Sequence, residues 1–181
     1  MAVFPDIPYC NVRSQAMSGV RWQRSVSGKD WGSNPWAGKT KRGWKLEFKI
    51  LTHDEEHLLR TFYESNADSV FYFFEFDRRR VHSGESVLET AGGGLLTFTL
   101  PGKSISQAKV YVEGVEQEDG WSLSPESGAN GEDQIIFTVA PADPVTADFT
   151  GRKRFLARFE GLLDDRQQFY PGLTIELVEV F

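Results

Sequence analysis

Alternation of apolar and polar side chains predicts a strand at GWKLEFKI, residues 43–50. A period of two is typical of a strand that buries one face and wets the other. VRWQRSV, residues 20–26, has the same period, so we expect it to pair with the first strand. The buried face of the first strand is predicted to carry Trp44, Leu46, Phe48 and Ile50.

Between these two strands lies SGKDWGSNPWAGKTKRG, residues 27–43, whose Gly, Ser, Pro and Lys content predicts a long loop without a core. Connections of this length inside a compact domain are usually functional or disordered. Aromatic and basic side chains on a protruding loop suit a protein interface, although one or both tryptophans could instead fold back onto the domain. Both alternatives stay open, and the interface candidates are Trp31, Trp36, Lys39, Lys41 and Arg42.

The periodicity changes to that of a helix in LTHDEEHLLRTFYESNADS, residues 51–69. Thr52 and Glu55 have the spacing of a capping box, and the acidic first turn complements the helix dipole. We therefore predict a helix over about residues 52–66. Its buried stripe is expected to hold Leu58, Leu59, Phe62 and Tyr63.

Three further strands are predicted in the same part of the fold. VFYFFEF, residues 70–76, is apolar on both faces and is typical of a central strand. RKRFLARFEG, residues 152–161, places Phe155, Ala157 and Phe159 on one face. In LTIELVEVF, residues 173–181, the apolar phase slips after Leu177, which predicts a β-bulge.

The middle of the chain differs in rhythm and charge. Residues 85–150 contain six short strand-like runs separated by turn-forming residues, with eleven Asp and Glu against two Lys. The local net charge is −9, whereas the rest of the chain carries +3. Such a shift predicts an inserted acidic β-module at 85–150, interrupting a domain formed by 1–84 and 151–181. The predicted fold class is mainly β with one α-helix (α+β).

Composition narrows the functional classes. The chain has 181 residues, 40% of them hydrophobic, and no window long and apolar enough for a membrane span. The acidity of residues 85–150 argues against nucleic-acid recognition by that segment, because phosphate binding needs clustered Lys and Arg. The single cysteine, Cys10, excludes an internal disulfide, and the N-terminal residues carry no secretory pattern, so we expect synthesis in a reducing cytoplasm.

HDEEH, residues 53–57, matches the inverted zinc-peptidase signature HxxEH. A zinc site of that kind requires both histidines on one helix face and a third ligand, normally from a later helix. The sequence predicts only one helix, and His53, Glu56 and His57 fall in its solvated first turn. A polar helix start explains all five residues, so we expect neither a metal nor an enzyme here.

Other chemical motifs are equally weak. GSNPWAGKT, residues 32–40, has one residue too many for a phosphate-binding loop and leads into a strand, so no nucleotide cofactor is expected. The carboxylate pairs Asp164–Asp165 and Glu132–Asp133 occur in turn-like stretches, which predicts solvated surface. His82, in a polar turn, is also expected at the surface.

The order of these elements resembles the distal tail proteins of long-tailed bacteriophages and the related minor tail proteins of prophages and gene transfer agents. The likeness covers about residues 15–80 and 151–181, from RSVSG through GWKLEFKI and THDEEHLLRTFYES to the closing strands. It implies a split β-barrel with one helix, interrupted by a small β-module. VYVEGVEQEDGWSLS in the insert is similar to β-modules that recur in phage tails.

The resemblance implies a structural virion protein. Such proteins form a homo-oligomeric ring, a hexamer in this expectation, that joins the tail tube protein to the tail tip or baseplate hub. The loop at 27–43 matches the position of a loop that reaches a neighbouring subunit. DNA would pass through the ring without specific binding, and assembly would take place in the host cytoplasm.

An alternative function is a carbohydrate- or host-surface-binding module on the phage tail. Trp121 in EDGWSLS is the candidate for stacking on a sugar, although a tryptophan in the core of the module is also consistent with the sequence.

Overall fold

The computed structural model divides the chain into two compact units. The first comprises Met1–Tyr72 and Leu156–Phe181, and the second comprises Phe73–Phe155. The structure describes residues 1–7, 10–18, 21–24, 30–33, 40–86, 96–141, 144–166 and 171–180.

The elements are one helix and thirteen strands within these ranges. The first half of the chain contains β1 (Cys10–Ser18), β2 (Arg21–Arg24), β3 (Asp30–Ser33), β4 (Thr40–Phe48), α1 (His53–Asn66), β5 (Phe71–Phe74) and β6 (Val81–Ser86). The second half contains β7 (Thr97–Thr99), β8 (Gly102–Val112), β9 (Val115–Gln117), β10 (Trp121–Ser124), β11 (Gln134–Phe137), β12 (Val145–Arg166) and β13 (Pro171–Glu179). The predicted fold class, mainly β with one helix, is confirmed at this level.

The first unit is built on an antiparallel sheet in the order β1-β4-β13-β12. The predicted alternation on β4 holds for Trp44, Leu46 and Phe48, whose side chains are buried. β13 lies between β4 and the second half of β12. Its alternating apolar residues, Leu173, Ile175 and Leu177, are buried in the core of the first unit. Burial of that face is therefore what fixes the register of the three strands.

Helix α1 packs through an aromatic cluster. The ring of Phe62 lies 5.2 Å from that of Phe71, and the ring of Tyr63 lies 4.8 Å from that of Phe159, both edge-on. Phe4 closes the cluster from the N-terminal segment, 5.6 Å from Phe62. Edge-to-face pairs of this kind stabilise beyond the area they bury.

Several predictions for the first unit are wrong in detail. Ile50 is 66% exposed and Leu58 is 51% exposed, because β4 ends at Phe48 and because Leu59 takes the position that faces the core. β2 pairs with β3, not with β4. Residues 27–43, predicted to be a loop throughout, contain β3 and the first residues of β4.

The predicted β-bulge lies on the opposite strand. β13 runs without interruption where its apolar phase slips, and Leu177 and Val178 are both buried. The register instead shifts on β12 between Phe159 and Gly161, which leaves Glu160 as the extra residue. The phase slip in the sequence of β13 therefore indicates a real irregularity of this strand pair, but the extra residue lies on β12.

The second unit has two sheets with a shared apolar core. One sheet has the order β6-β12-β8-β9, formed with the first half of β12, and the other has the order β10-β11-β7. Among the described residues the pairings form open sheets and no closed barrel. Both sheets supply the buried cluster, which comprises Phe98, Leu100, Val110, Ile135, Phe137, Val145, Ala147 and Phe149.

The second unit extends beyond the predicted insert on both sides. Residues 73–84 and 151–155, predicted to belong to the surrounding domain, cluster with residues 85–150. The charge change at position 85 lies inside β6, which pairs with β12. β5 and β12 both run through the boundary between the units.

Two neighbouring leucines on α1 test the packing of the helix. Leu59→Ala should lower the free energy of unfolding by about 2–5 kcal/mol, because Leu59 is completely buried. Leu58→Ala makes the same chemical change at an exposed position and should stay within about 0.5 kcal/mol of the wild type. Urea unfolding measures both. Equal losses in the two variants would contradict the orientation of the helix.

Candidate functional site

Of the five predicted interface residues, the structure describes three. Trp36 and Lys39 lie outside the described residues, and Trp31 is described as a backbone position on β3, opposite Gln23. Lys41 and Arg42 lie on β4 and are half-buried. The backbone N–H of Arg42 donates to Glu179 Oε2 at 2.9 Å, which ties the start of β4 to the end of β13.

HDEEH forms the capped start of α1. The Glu55 backbone N–H donates to Thr52 Oγ1 at 3.3 Å, and the Thr52 backbone N–H donates to Glu55 Oε2 at 2.8 Å. That backbone hydrogen bond, with a second one from the Thr52 hydroxyl, lowers the pKa of Glu55. The predicted capping box is confirmed.

The remaining residues of this motif also have local roles or face solvent. Glu56 accepts from Arg60 Nε at 2.8 Å, one helical turn later. His53 and His57 are exposed. In the part of the chain that the structure describes, no three His, Cys, Asp or Glu side chains are grouped as metal ligands.

Trp121 belongs to the packing of the second unit. Its side chain is half-buried and packs against the apolar core cluster. Its indole N–H donates to the backbone oxygen of Gln117 at 2.9 Å. The polar atom of the ring is therefore engaged within the fold, as is usual for a partly buried tryptophan.

Three consecutive cations on β12 bind three separate segments of the second unit. Arg152 is 3% exposed and donates from Nε to the backbone oxygen of Glu75 at 2.8 Å. Lys153 pairs with Glu85 on β6, and Arg154 pairs with Glu132 in the turn before β11. We call Arg152, Lys153 and Arg154 the basic triplet.

Glu75 and His82 form a buried polar pair beside the basic triplet. Glu75 Oε1 lies 3.0 Å from His82 Nε2, and Arg80 Nη1 lies 3.4 Å from Glu75 Oε2. His82 is 5% exposed, so the expectation of a surface histidine is wrong. The reason is that Val81–Ser86 is a strand, on which His82 points inward, its ring 5.0 Å from that of Phe149.

Glu132 and Asp133 are also buried, which corrects the prediction of a solvated pair. Asp133 Oδ2 accepts the Ile105 backbone N–H at 2.8 Å, and Oδ1 accepts the Glu126 backbone N–H at 2.9 Å. Asp133 thus joins the irregular part of β8 to the turn at residues 125–131. Carboxylates that accept backbone N–H groups in this way stabilise turns that lack strand pairing.

Glu132 holds the other side of the same turn. Its Oε2 accepts the Asn130 backbone N–H at 2.8 Å, and its Oε1 accepts Asn130 Nδ2 at 3.0 Å as well as Arg154. Burial alone raises the pKa of Glu132, but the hydrogen bonds from Asn130 and the charge of Arg154 outweigh it. The pKa therefore lies below its ordinary value.

The second unit also carries an open cleft of about 500 Å³. It lies beside the β8–β9 hairpin, and its lining includes Glu113, Val115, Asp119 and Val139. We call it the acidic cleft. A smaller cleft of about 360 Å³ is lined by residues of β6, β8 and β12, among them Val81, Lys109 and Phe149. Either cleft offers a binding surface.

The buried ionic groups have structural roles, because each contacts partners within the second unit. Sequence reasoning missed them because several of their partners lie 22 to 77 positions away along the chain. Along the described ranges, no helix combines the length and apolarity of a membrane span.

The lowered pKa of Glu132 makes stability depend on pH. A carboxyl group whose pKa is lower in the folded chain stabilises above its unfolded pKa of about 4.3, and that contribution is lost as the pH falls through the folded value. Glu132→Gln should therefore reduce the free energy of unfolding at pH 7 by about 1–3 kcal/mol and flatten its decline below pH 5. Urea midpoints measured from pH 3 to pH 7 test this.

Glu126→Gln is the matched control, because Glu126 is an exposed carboxylate in the same turn. It should change neither the midpoint at pH 7 nor the slope below pH 5. If the Glu132 variant retained the full acid sensitivity of the wild type, the role assigned to Glu132 would be wrong.

Comparison of the sequence with protein-family models and with curated proteins finds no match.

Proposed function

We propose that the chain is a ring-forming distal tail adaptor, a structural virion protein that joins the phage tail tube to the tail tip or baseplate hub. In this proposal the first unit is a split β-barrel domain with one helix, and the second unit is the inserted module. The ring would be a homohexamer whose lumen lets DNA pass without specific contacts. No chemical step is assigned to any residue.

One observation carries the proposal. β4 leads directly into α1 and β5, the chain then forms the second unit, and it returns through β12 and β13 to pair with β4. This discontinuous arrangement is the one that the resemblance to distal tail proteins implies. The proposal also rests on the long pairing of β13 with β4, which joins parts of the chain that are far apart in sequence.

The edges of the first unit support a head-to-tail assembly. Among the described strands of its main sheet, β1 has β4 as its single neighbour, and we propose that the other edge of β1 receives the neighbouring subunit. In this proposal, residues 27–43 of the neighbouring subunit would supply the basic and aromatic side chains of the contact. A subunit with one projecting and one receiving surface forms heterologous contacts, which close into a ring when the rotation between subunits allows it.

The proposal predicts a closed ring. At low ionic strength, sedimentation and light scattering should give an assembly about six times the mass of the 20.5 kDa chain, and negative-stain images should show rings with a central hole. Trp31→Ala combined with Trp36→Ala should shift the protein toward monomer and leave its circular dichroism unchanged.

Ile50→Ala is a suitable control for that pair of substitutions, because Ile50 is an exposed apolar residue outside the proposed loop interface. It should leave the assembly intact. A wild-type protein that stays monomeric at high concentration and low salt would contradict the proposed function.

A second candidate function is binding of carbohydrate or host surface by the second unit, and the acidic cleft favours it. Gln117, Asp119 and Thr138 line the cleft with groups that can hydrogen-bond to sugar hydroxyls. Glycan-array binding that Asp119→Ala abolishes would support this function. Trp121→Ala would act through packing, since the ring lies against the core. Failure of the folded wild type to bind any glycan would remove the alternative.

A further inference from the structure

Charge is distributed very unevenly along the second unit. Residues 110–151 contain nine Asp and Glu and no Lys, Arg or His. Several of these carboxylates are satisfied inside the unit: Glu132 by Arg154, Asp133 by backbone N–H groups and Glu116 by Lys109. The acidic residues that remain exposed therefore define the surface charge of this region.

Two of these exposed carboxylates border the acidic cleft. Glu113 occupies the β8–β9 turn, where it has a φ of 51° and is followed by Gly114 with a φ of 81°, and Asp119 follows β9. Within the described residues neither side chain has a cation within ion-pair distance. Positive φ at both turn positions is typical of a tight hairpin, so Glu113 is held at a fixed place beside the cleft.

The cleft also exposes apolar side chains. Val115 is 64% exposed and Val139 is 76% exposed, and both line the cleft. An open volume of about 500 Å³ is large enough for one or two long side chains. A ligand that suits this surface presents positive charge together with aliphatic carbon, as arginine does.

The second unit itself exposes two arginines, Arg78 and Arg79, which combine positive charge with aliphatic carbon. DRRR, residues 77–80, forms the connection between β5 and β6. Arg80 approaches Glu75, and Asp77 accepts the Arg79 backbone N–H at 2.9 Å. The guanidinium groups of Arg78 and Arg79 are exposed, and the described part of the chain provides neither with a carboxylate partner.

We propose that the acidic cleft of one subunit receives the arginine turn, residues 77–80, of a second copy of the chain. Arg78 and Arg79 would pair with Glu113 and Asp119, and their aliphatic portions would cover Val115 and Val139. The contact is heterologous, because the turn and the cleft are different surfaces of one unit, so it propagates in one direction around a ring. This inference rests on the proposed function and names the contact between neighbouring modules.

The expected strength of this contact is modest. Exposed ion pairs contribute little individually and are screened by salt, while the covered valines add an apolar contribution. The contact should therefore be sensitive to ionic strength. In a closed ring every subunit makes it twice, once with each neighbour, so the effects of a substitution accumulate over the assembly.

Charge reversal provides a direct test. Arg78→Glu with Arg79→Glu makes the turn acidic, and Glu113→Arg with Asp119→Arg makes the cleft basic. Each double variant alone then opposes like charges, and its association constant per contact should fall by about tenfold. An equimolar mixture of the two should assemble again, because each turn meets a cleft of opposite charge in an alternating ring. Sedimentation velocity at about 50 mM and about 500 mM salt measures this.

Glu126→Arg and Lys49→Glu are the controls, because both residues are exposed and lie outside the two surfaces. Neither should change assembly. Rings that form normally from each double variant alone would overturn this inference and leave the proposed function standing. A wild-type chain that is monomeric in all conditions would overturn both. Loss of assembly in both variants without rescue in the mixture would also overturn the pairing of turn with cleft.

Discussion

Arg152, Lys153 and Arg154 follow one another on β12, and the fold of the second unit depends on where their side chains go. Arg152 reaches the backbone at the end of β5, Lys153 reaches β6, and Arg154 reaches the turn before β11. One short stretch of strand therefore adds side-chain contacts to three segments, two of which, β5 and β6, also pair with β12 through the backbone. Since a buried charge without its partner is costly, each of these segments is tied to β12.

This arrangement explains why the second unit is wider than the acidic segment. β12 runs for 22 residues, and its first part pairs with β6 and β8 while its second part pairs with β13. A module that ended at residue 150 would lack the basic triplet, and one that began at residue 85 would lack Glu75 and His82. The acidic composition describes the surface of the module, whereas the contacts inside the module determine where it begins and ends along the chain.

Local patterns in the sequence predicted the local structure. The capping box at Thr52 and Glu55, the period-two face of β4 and the face of β12 that holds Phe155, Ala157 and Phe159 were all predictable, because each depends on residues a few positions apart. Non-local pairing was not predictable in this way. β4 pairs with β1 and β13, although several other strands have a similar apolar pattern. The pattern within one strand does not specify which of these strands becomes its neighbour.

The burial of polar residues was the second feature that could not be predicted from the sequence. His82, Glu132 and Asp133 look like surface residues in the sequence, because turn-forming neighbours surround them. Some of the contacts that bury them, such as that of Glu132 with Arg154, also span many positions of the chain. For the candidate site, the exposed arginines of the 77–80 turn and the carboxylates beside the cleft were visible as charges. Their significance depends on which charges the fold neutralises, and that requires the pairing of Arg154 with Glu132 and of Lys109 with Glu116.

The most direct test of this account compares two fragments by thermal and urea unfolding. The fragment 73–155 keeps β6 and the basic triplet, and the account predicts a cooperative transition with a well-ordered core. The fragment 85–150 follows the change in composition, but it lacks Glu75, His82 and all three cations, so it should show no cooperative transition. Cooperative unfolding of 85–150 with the same stability as 73–155 would contradict the account, because the triplet and its partners would then be dispensable for the fold of the second unit.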